Sequence, residues 1–230
     1  MKNVGKVEIM DVKIAVRGRR SIRRFQQKEV PKEVIHEILE DALWAPSWGN
    51  TQPWEFYVVT GDMLERLKKA NRNKFLEGEA QSPDVPMPSM WLDAQKKRYA
   101  ALGKSALQAL SIDREDSEAR KNYYADMFYL FDAPCLILIC LDKILSIEYA
   151  MLDVGLITQT ICLLAHERGL GTCMLANSSR YPELLREMLP IPEGKNIVIG
   201  TALGYPDLGA PVNRFERTRA EFEEVVTWVG

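Results

Sequence analysis

The spacing of apolar residues along the chain predicts several helices. Pro31 stands at the favoured first position of a helix in which apolar residues recur at i, i+1 and i+4 as far as Leu43. The segment 146–168 is apolar nearly all round, so we expect a long helix that is central or lies at an interface. Shorter helices are predicted over 11–17 (ended by a left-handed Gly18), from 61 onwards, and over 181–188.

Uninterrupted apolar runs predict the strands. The run over 134–141 is apolar throughout, which is typical of a strand buried on both faces. Shorter strands are predicted over 56–59, 171–176 and 196–203. Strands and helices therefore alternate in a compact order over most of the chain.

Residues 75–131 interrupt this order. Three prolines exclude regular structure over 75–90, and two helices are expected after them, over 91–110 with a break at Gly103 and from an N-cap at Asp113 to Phe131. Long excursions in compact domains are often lids or binding loops. Its aromatic side chains suit a cover over a planar substrate or a dimer element, and packing in the core is the alternative.

Length and composition describe an ordinary globular protein. The 230 residues, 47% hydrophobic and 27% charged, suit a single domain over 1–230. A net charge of −2 and a pI near 5.9 favour neither nucleic acid nor an anionic membrane as a partner. The uncharged run 154–165 is too short to span a bilayer, and 1–11 lacks the pattern of a secretion signal, so we expect a cytoplasmic location.

Cysteine and histidine usage indicates no metal site. The four cysteines form no Cys-x-x-Cys pair and lie in apolar runs, which predicts buried, reduced thiols. The two histidines, His36 and His166, lie far apart in the chain, so neither has a second histidine at a helical spacing of three or four. We therefore expect neither a zinc site nor a histidine-based triad.

A cluster of arginines follows the first predicted helix. Five arginines lie within residues 17–24, just past a helix end where no regular face can separate them. Packed this closely they repel one another unless an anion gathers them, and the guanidinium fork suits phosphate. Ser21 adds a hydroxyl donor. We predict a phosphate site here, and a solvated surface run is the alternative.

A second basic segment lies in residues 208–230, which we call the C-terminal arm. The arm has no compact pattern before Phe222 and carries Arg214, Arg217 and Arg219. Its last residues are apolar, so this extended segment needs a surface on which to pack. A partner subunit is a natural candidate.

The loop 45–57 carries an unusual set of side chains. Two prolines and a glycine rule out regular structure, while two tryptophans lie among Ser47, Asn50 and Gln52. Such side chains can stack on, and hydrogen-bond to, a flat polar ring system. A turn whose tryptophans fill the core is the alternative.

Together these features describe a phosphate-bearing planar cofactor. The chain lacks both Gly-x-Gly-x-x-Gly after a strand and Gly-x-x-x-x-Gly-Lys-Ser/Thr, so neither a dinucleotide fold nor a P-loop is supported. No pair of carboxylates and no nucleophile with a base stands out. The chemistry is therefore expected to be the cofactor's, with no catalytic side chain.

Four segments in this order resemble the FMN-dependent nitroreductase family: 19–25, 45–54, Gly169-Leu170-Gly171-Thr172 and Gly204-Tyr205-Pro206. The resemblance covers nearly the whole chain. It implies an α+β fold with a mixed central sheet flanked by helices, in an intertwined homodimer with an exchanged C-terminal arm. It also implies two FMN sites at the dimer interface, each built from both subunits.

The resemblance also implies the residues that bind FMN. The family's first arm matches Arg19, Ser21 and Arg23, with Arg20 beside them. The loop that reaches over from the partner subunit matches Pro46, Ser47, Asn50 and Gln52. The strand end that faces flavin N5 matches Leu175 and Ala176, where this chain has Ala176-Asn177 in place of the family's frequent Glu-Gly. The basic pair of the C-terminal arm matches Arg217 and Arg219.

The implied activity is a ping-pong reaction at flavin N5. NADH or NADPH reduces FMN, and a small planar acceptor such as a nitroaromatic or a quinone is then reduced. Reductive dehalogenation, ene reduction or flavin destruction on the same fold are alternatives within the flavin class. A non-catalytic flavin-binding module and, on the arginine cluster, a nucleic-acid binder are alternatives from other classes.

Overall fold

The computed structural model describes residues 10–230, and residues 1–9, on which the expectation about a secretion signal mainly rests, lie outside the described residues. Within 10–230 the strands are β1 (Glu55–Thr60), β2 (Cys135–Asp142), β3 (Gly171–Leu175) and β4 (Lys195–Gly204). The helices of the same part are α1 (Val12–Gly18), α2 (Lys32–Ala42), α3 (Gly61–Leu76), α4 (Asp93–Ala109), α5 (Ser117–Phe128), α6 (Ile147–Glu167), α7 (Pro182–Met188) and α8 (Phe222–Val225).

The strands form one sheet in the order β1-β2-β4-β3, and every neighbouring pair is antiparallel. The fold is α+β, but the expected mixed sheet is wrong for these strands. Within 10–230 the parallel pairing is limited to a single bridge between Ser21 and Thr172. An apolar run indicates that a strand is buried on both faces. It does not indicate whether the strand runs parallel or antiparallel to its neighbours.

The core lies on both faces of the sheet, and β2 divides it. Leu136, Leu138 and Cys140 face a cluster that includes residues of α3, α5 and α7. Ile137 and Ile139 face a second cluster with residues of α2 and α6. The strand buried on both faces is therefore confirmed. All four cysteines are free and buried, as expected, and burial raises the pKa of the Cys135 thiol to about 12.

Helix α6 confirms the long apolar helix. Ile157 and Ile161 on one face are fully buried against the sheet, whereas Leu152 on the other face is 61% exposed. The uncharged run 154–165 is too short to span a bilayer, but the complete helix of 21 residues is long and apolar enough by composition. Its burial against the sheet is equally typical of a core helix.

Three predicted helix features are wrong. Gly18 is the last residue of α1 and is not left-handed; it leaves room for His166, whose Nε2 would lie 2.4 Å from a Cβ at this position. Helix α4 continues through Gly103, because one glycine costs only about 1 kcal/mol in a helix of this length. Helix α5 begins at Ser117, since the Asp116 carboxylate accepts from the Ala119 N–H at 2.9 Å.

The excursion returns to the sheet through a turn that α3 holds in place. Helix α5 ends at Phe128, and the following residues 130–132 all have positive φ. Lys68 of α3 is almost fully buried, and its Nζ lies 2.5 Å from carboxylate oxygens of both Glu65 and Asp132. Asn71 of α3 donates to the Phe128 carbonyl at 2.6 Å. The exit of the excursion is therefore fixed by buried polar contacts.

Candidate functional site

The arginine segment, residues 19–25, lies along the ends of β3 and β4. The Ile22 N–H donates to the Thr172 carbonyl at 2.9 Å. Two glycines make this approach possible, because a Cβ at Gly171 would lie 2.4 Å from Ile22 Cγ1 and one at Gly204 would lie 2.9 Å from Phe25 Cδ1. The two glycine motifs of the sequence thus form the surface on which the arginine segment rests.

The C-terminal arm docks on the same segment through Asn213 and Phe215. The Asn213 side chain, only 1% exposed, accepts from the Arg23 N–H and donates to the Arg24 carbonyl, both at 2.7 Å. The Phe215 ring centroid lies 5.7 Å from the Arg20 guanidinium carbon and 5.4 Å from that of Arg23. These contacts fix the arm against its own chain. No sequence pattern singled out Asn213.

Arg217 completes the junction between the two basic segments. Its guanidinium donates to the Arg17 carbonyl at 2.5 Å and to the Arg19 carbonyl. Both basic segments line one cavity of about 570 Å³. The candidate residues that the structure brings together in this cavity are Arg19, Arg20, Ser21, Arg23, Arg217 and Arg219.

The cavity has the electrostatics of an anion site. Among residues 10–230, none of its arginines from the two basic segments forms an ion pair with a carboxylate. Burial, and then the neighbouring Arg217 and Arg23, lower the pKa of Arg20, while burial and then Arg19 and Arg219 lower the pKa of Arg217. Arg20 Nε is buried without a hydrogen-bond partner. Guanidinium groups held together in this way favour a bound anion of high charge.

The excursion forms the opposite wall of this cavity. Trp91, Arg98 and Tyr99 line it, and the Trp91 and Tyr99 rings stack with their centroids 6.3 Å apart. An ion pair of 2.5 Å between Arg98 and Glu224 joins α4 to the C-terminal arm. None of these three was predicted as a site residue. In the sequence, Arg98 is typical of a solvent-exposed helix position and the two aromatics are typical of packed ones.

A second cavity of about 840 Å³ lies between α4 and α5. It shares Arg23, Tyr99, Ala101 and Leu102 with the first cavity, so the two adjoin. Tyr123 and Tyr124 contribute aromatic walls to it. The two cavities together offer a basic compartment beside an aromatic one.

The loop 45–57 lies elsewhere on the same chain. Pro46, Ser47 and Asn50 line neither cavity, and Gln52 lines an open groove beside β1. The loop nevertheless has a specific local conformation: residues 49, 50 and 52 have positive φ, and Ser47 Oγ accepts from the Gln52 N–H at 2.9 Å. Trp48 is 64% exposed. The core-filling alternative therefore holds for the buried Trp54 alone.

Asp153 of α6 anchors this loop, since its carboxylate accepts from the Trp48 N–H at 2.8 Å. Replacing Asp153 by alanine removes a hydrogen bond to a charged group, which is worth about 1.5–3 kcal/mol. We expect the Trp48 amide to exchange with solvent about 10- to 100-fold faster, as measured by hydrogen–deuterium exchange. Asp153→Asn keeps the acceptor and serves as the control. Equal protection in wild type and Asp153→Ala would show that the carboxylate does not hold the loop.

Leu175 and Ala176 lie at the end of β3, where a 3₁₀ turn begins. Their carbonyls accept from the hydroxyls of Ser178 at 2.5 Å and Ser179 at 3.2 Å. Neither residue lines the two cavities. Their role at the flavin therefore stays a prediction from the resemblance.

His166 packs beneath the arginine junction. Burial, and then Arg19 and Arg217, lower its pKa, so folding favours the neutral imidazole over the charged form. A histidine whose folded pKa is lowered binds more protons when unfolded. Its contribution to stability is therefore complete above about pH 6.5 and is lost as the pH falls from there to the folded pKa.

We expect the flavin-free protein to lose stability between about pH 7 and pH 5 more steeply than a His166→Gln variant. Urea unfolding at several pH values measures the difference. A polyanion bound between Arg19 and Arg217 offsets their charge, so the same series with FMN is expected to be shallower. Parallel curves for wild type and variant would rule out His166 as the source.

Comparison with known proteins agrees with this fold. The nitroreductase family model matches residues 16–205. The chain therefore belongs to the nitroreductase family. It is similar to the nitrobenzene nitroreductase of Ectopseudomonas oleovorans, with 33% identity over 93% of this chain and 95% of the relative. It is also similar to a 4-nitrobenzoate reductase of a Nocardioides species, with 32% identity over 93% of this chain and 88% of the relative.

A solved structure of the same kind superposes closely. The FMN-dependent nitroreductase of Mycobacterium smegmatis, crystallised with NADPH, has a TM-score of 0.89 and 28% identity to this chain. The match covers 95% of this chain and 97% of that protein. The family resemblance inferred from the sequence is confirmed.

Proposed function

We propose that the protein is an FMN-dependent oxidoreductase that uses NADPH or NADH to reduce nitroaromatic and similar electron-poor compounds. The observation that carries the proposal is the single cavity in which two basic segments meet without a carboxylate partner among residues 10–230. The relatives named above act on nitrobenzene and 4-nitrobenzoate and include an FMN-dependent enzyme whose structure is a complex with NADPH. A cytoplasmic location fits this use of nicotinamide nucleotides.

The donor set fits FMN. Arg19, Arg20, Arg217 and Arg219 would hold the phosphate through charge-assisted hydrogen bonds, and the unpaired Arg20 Nε would be one of the donors. Ser21 adds a hydroxyl along the same wall. When bound, FMN supplies the chemistry, which is acceptance of hydride from the nicotinamide and delivery of electrons to the acceptor.

Arg23 is the residue that would place a positive charge near the flavin ring. It borders both cavities, and the backbone contact with Asn213 and the Phe215 ring hold it in place. With FMN bound, a cation held here would stabilise the negative charge of the reduced ring. No side chain of the chain is required as an acid or base. Leu175 and Ala176 would complete the ring contacts from the end of β3.

We further propose a homodimer in which the partner's loop completes each site. Pro46, Ser47, Asn50 and Gln52 lie away from the cavity of their own chain, which suits a contribution to the site of a second copy. Large apolar side chains remain exposed on α6 and on the C-terminal arm, including Leu152 at 61% and Trp228 at 85%. Such side chains favour burial against a partner, with exchange of the end of the arm.

The excursion 75–131 is proposed as the cover of the acceptor site. Helices α4 and α5 supply the aromatic walls of the second cavity, and the Arg98–Glu224 ion pair connects this cover to the C-terminal arm. Its sequence would therefore determine which planar acceptors enter.

Anaerobic stopped-flow mixing tests the proposed function. The purified protein is expected to be yellow, and its flavin absorbance should bleach with NADPH or NADH and return on addition of nitrobenzene. Flavin that binds but does not bleach would support the non-catalytic module instead. Bleached flavin that a nitroarene leaves reduced, but that a halogenated phenol or an enone reoxidises, would support dehalogenation or ene reduction.

A further inference from the structure

One face of α5 points a cation into the second cavity. Arg120, Tyr123, Tyr124 and Met127 follow the i, i+3, i+4, i+7 spacing of one helix face, and all four line that cavity. The face therefore combines one guanidinium with two aromatic rings and a thioether. Met127 and the tyrosines provide the apolar contact area that a planar molecule needs.

The Arg120 guanidinium has no partner among residues 10–230. Its Nε is buried without a hydrogen bond, and no carboxylate of the described chain lies within ion-pair distance of it. Asp113 and Glu115 line the same cavity, yet neither pairs with it. A buried N–H that lacks an acceptor is costly unless a ligand supplies one.

The net charge of the side chains that line the second cavity also favours an anionic ligand. Four cationic side chains, Arg23, Lys104, Arg114 and Arg120, face two carboxylates, those of Asp113 and Glu115. Arg23 stands at the border with the cofactor cavity, and Arg120 belongs to the second cavity alone. A planar molecule between them would have one end near Arg23 and an anionic substituent near Arg120.

We propose that Arg120 makes this cavity selective for aromatic acceptors that carry an anionic substituent, such as a carboxylate. This inference rests on the proposed function and names the acceptor class of the same site. The carboxylate accepts from the planar guanidinium fork, while Tyr123 and Tyr124 contact the ring. The reducible group then lies at the other end, toward Arg23.

The test compares Arg120→Gln with Lys121→Gln, which removes the same charge from an exposed neighbouring position on α5 outside the cavity. Steady-state kinetics are measured with 4-nitrobenzoate and with neutral nitrobenzene. Arg120→Gln is expected to raise KM for 4-nitrobenzoate about 10- to 100-fold and to change KM for nitrobenzene less than about threefold. Arg120→Lys should restore part of the affinity, and Lys121→Gln should change neither KM.

A binding measurement supports the kinetics without turnover. Calorimetric titration of the oxidised protein with benzoate and with benzamide compares an anion with a neutral molecule of similar shape. Arg120→Gln is expected to abolish the preference for benzoate while thermal unfolding stays within a few degrees of wild type. Equal affinity of the wild type for both molecules would overturn the proposal.

The outcomes separate this inference from the proposed function. A wild type that reduces neither nitroarene refutes the proposed function itself. A wild type that reduces both, with Arg120→Gln unchanged toward 4-nitrobenzoate, overturns only the role of Arg120. A rise in KM for NADPH alone, with NADH and 4-nitrobenzoate unaffected, would assign Arg120 to a phosphate of the donor and likewise overturn the acceptor proposal.

Discussion

Replacing Arg217 by alanine is expected to weaken FMN binding about 10- to 100-fold. Loss of a hydrogen bond to a charged group costs about 1.5–3 kcal/mol, and each 1.4 kcal/mol is a factor of about ten. The change also removes the donor of the Arg17 and Arg19 carbonyls. The proposed phosphate site therefore loses both a cation and the contact between the C-terminal arm and the arginine segment. Titration of flavin-free protein, followed by quenching of FMN fluorescence, gives the dissociation constant.

Two comparisons isolate the phosphate. Arg214→Ala removes an exposed arginine of the same arm outside the cavity and should leave FMN affinity unchanged. Riboflavin has no phosphate, so its weaker binding should differ little between wild type and Arg217→Ala. An equal loss of affinity for riboflavin and FMN would place the role of Arg217 at the ring or in the fold. Unchanged FMN affinity would refute the phosphate assignment.

Gly171→Ala is expected to destabilise the protein and to displace the arginine segment. The new Cβ would lie 2.4 Å from Ile22 Cγ1 and 3.1 Å from Ile22 Cβ, so the Ile22 backbone itself must move. Overpacking of this kind costs about 1–3 kcal/mol. Thermal unfolding of the flavin-free protein and the FMN dissociation constant should both worsen, because residues 19–23 carry the phosphate donors.

Gly194→Ala is the matched control, since no atom lies within 4 Å of its added Cβ. Ile22→Ala combined with Gly171→Ala should cost less than the sum of the two single changes, because the smaller side chain relieves the clash. Strict additivity would show that the two residues do not contact. A fully stable Gly171→Ala protein that retains FMN would remove Gly171 from the support of the site.

Much of the fold follows from the sequence because its signals are local. The apolar run of β2 and the nearly all-apolar α6 needed no partner to be recognised. The error in the start of α5 has a local cause as well. Asp113 and Asp116 are equally suitable N-cap residues by type, and only the folded structure shows that Asp116 is the one used. Strand direction had no local signal at all, so the antiparallel sheet was missed.

The site was predictable only where residue type alone carried the signal. Clustered arginines are conspicuous, whereas Asn213 matters through a contact with Arg23, 190 residues away. Asp153 is one of three acids in the long helix α6, and Arg120 is one arginine on α5. Asp153 matters because it has a partner in space, the Trp48 N–H, and Arg120 because its Nε has none. Composition and spacing along the chain reveal neither fact.

The ion pair of the buried Lys68 with Asp132, and the Asn71 contact to Phe128, secure the base of the excursion. The sequence of the excursion can therefore vary while its connection to the sheet stays the same. Relatives can diverge in this segment without disturbing the sheet, but Trp91, Arg98 and Tyr99 of the same segment also line the cofactor cavity. Where these three side chains are replaced, acceptor preference and FMN affinity are therefore expected to change together.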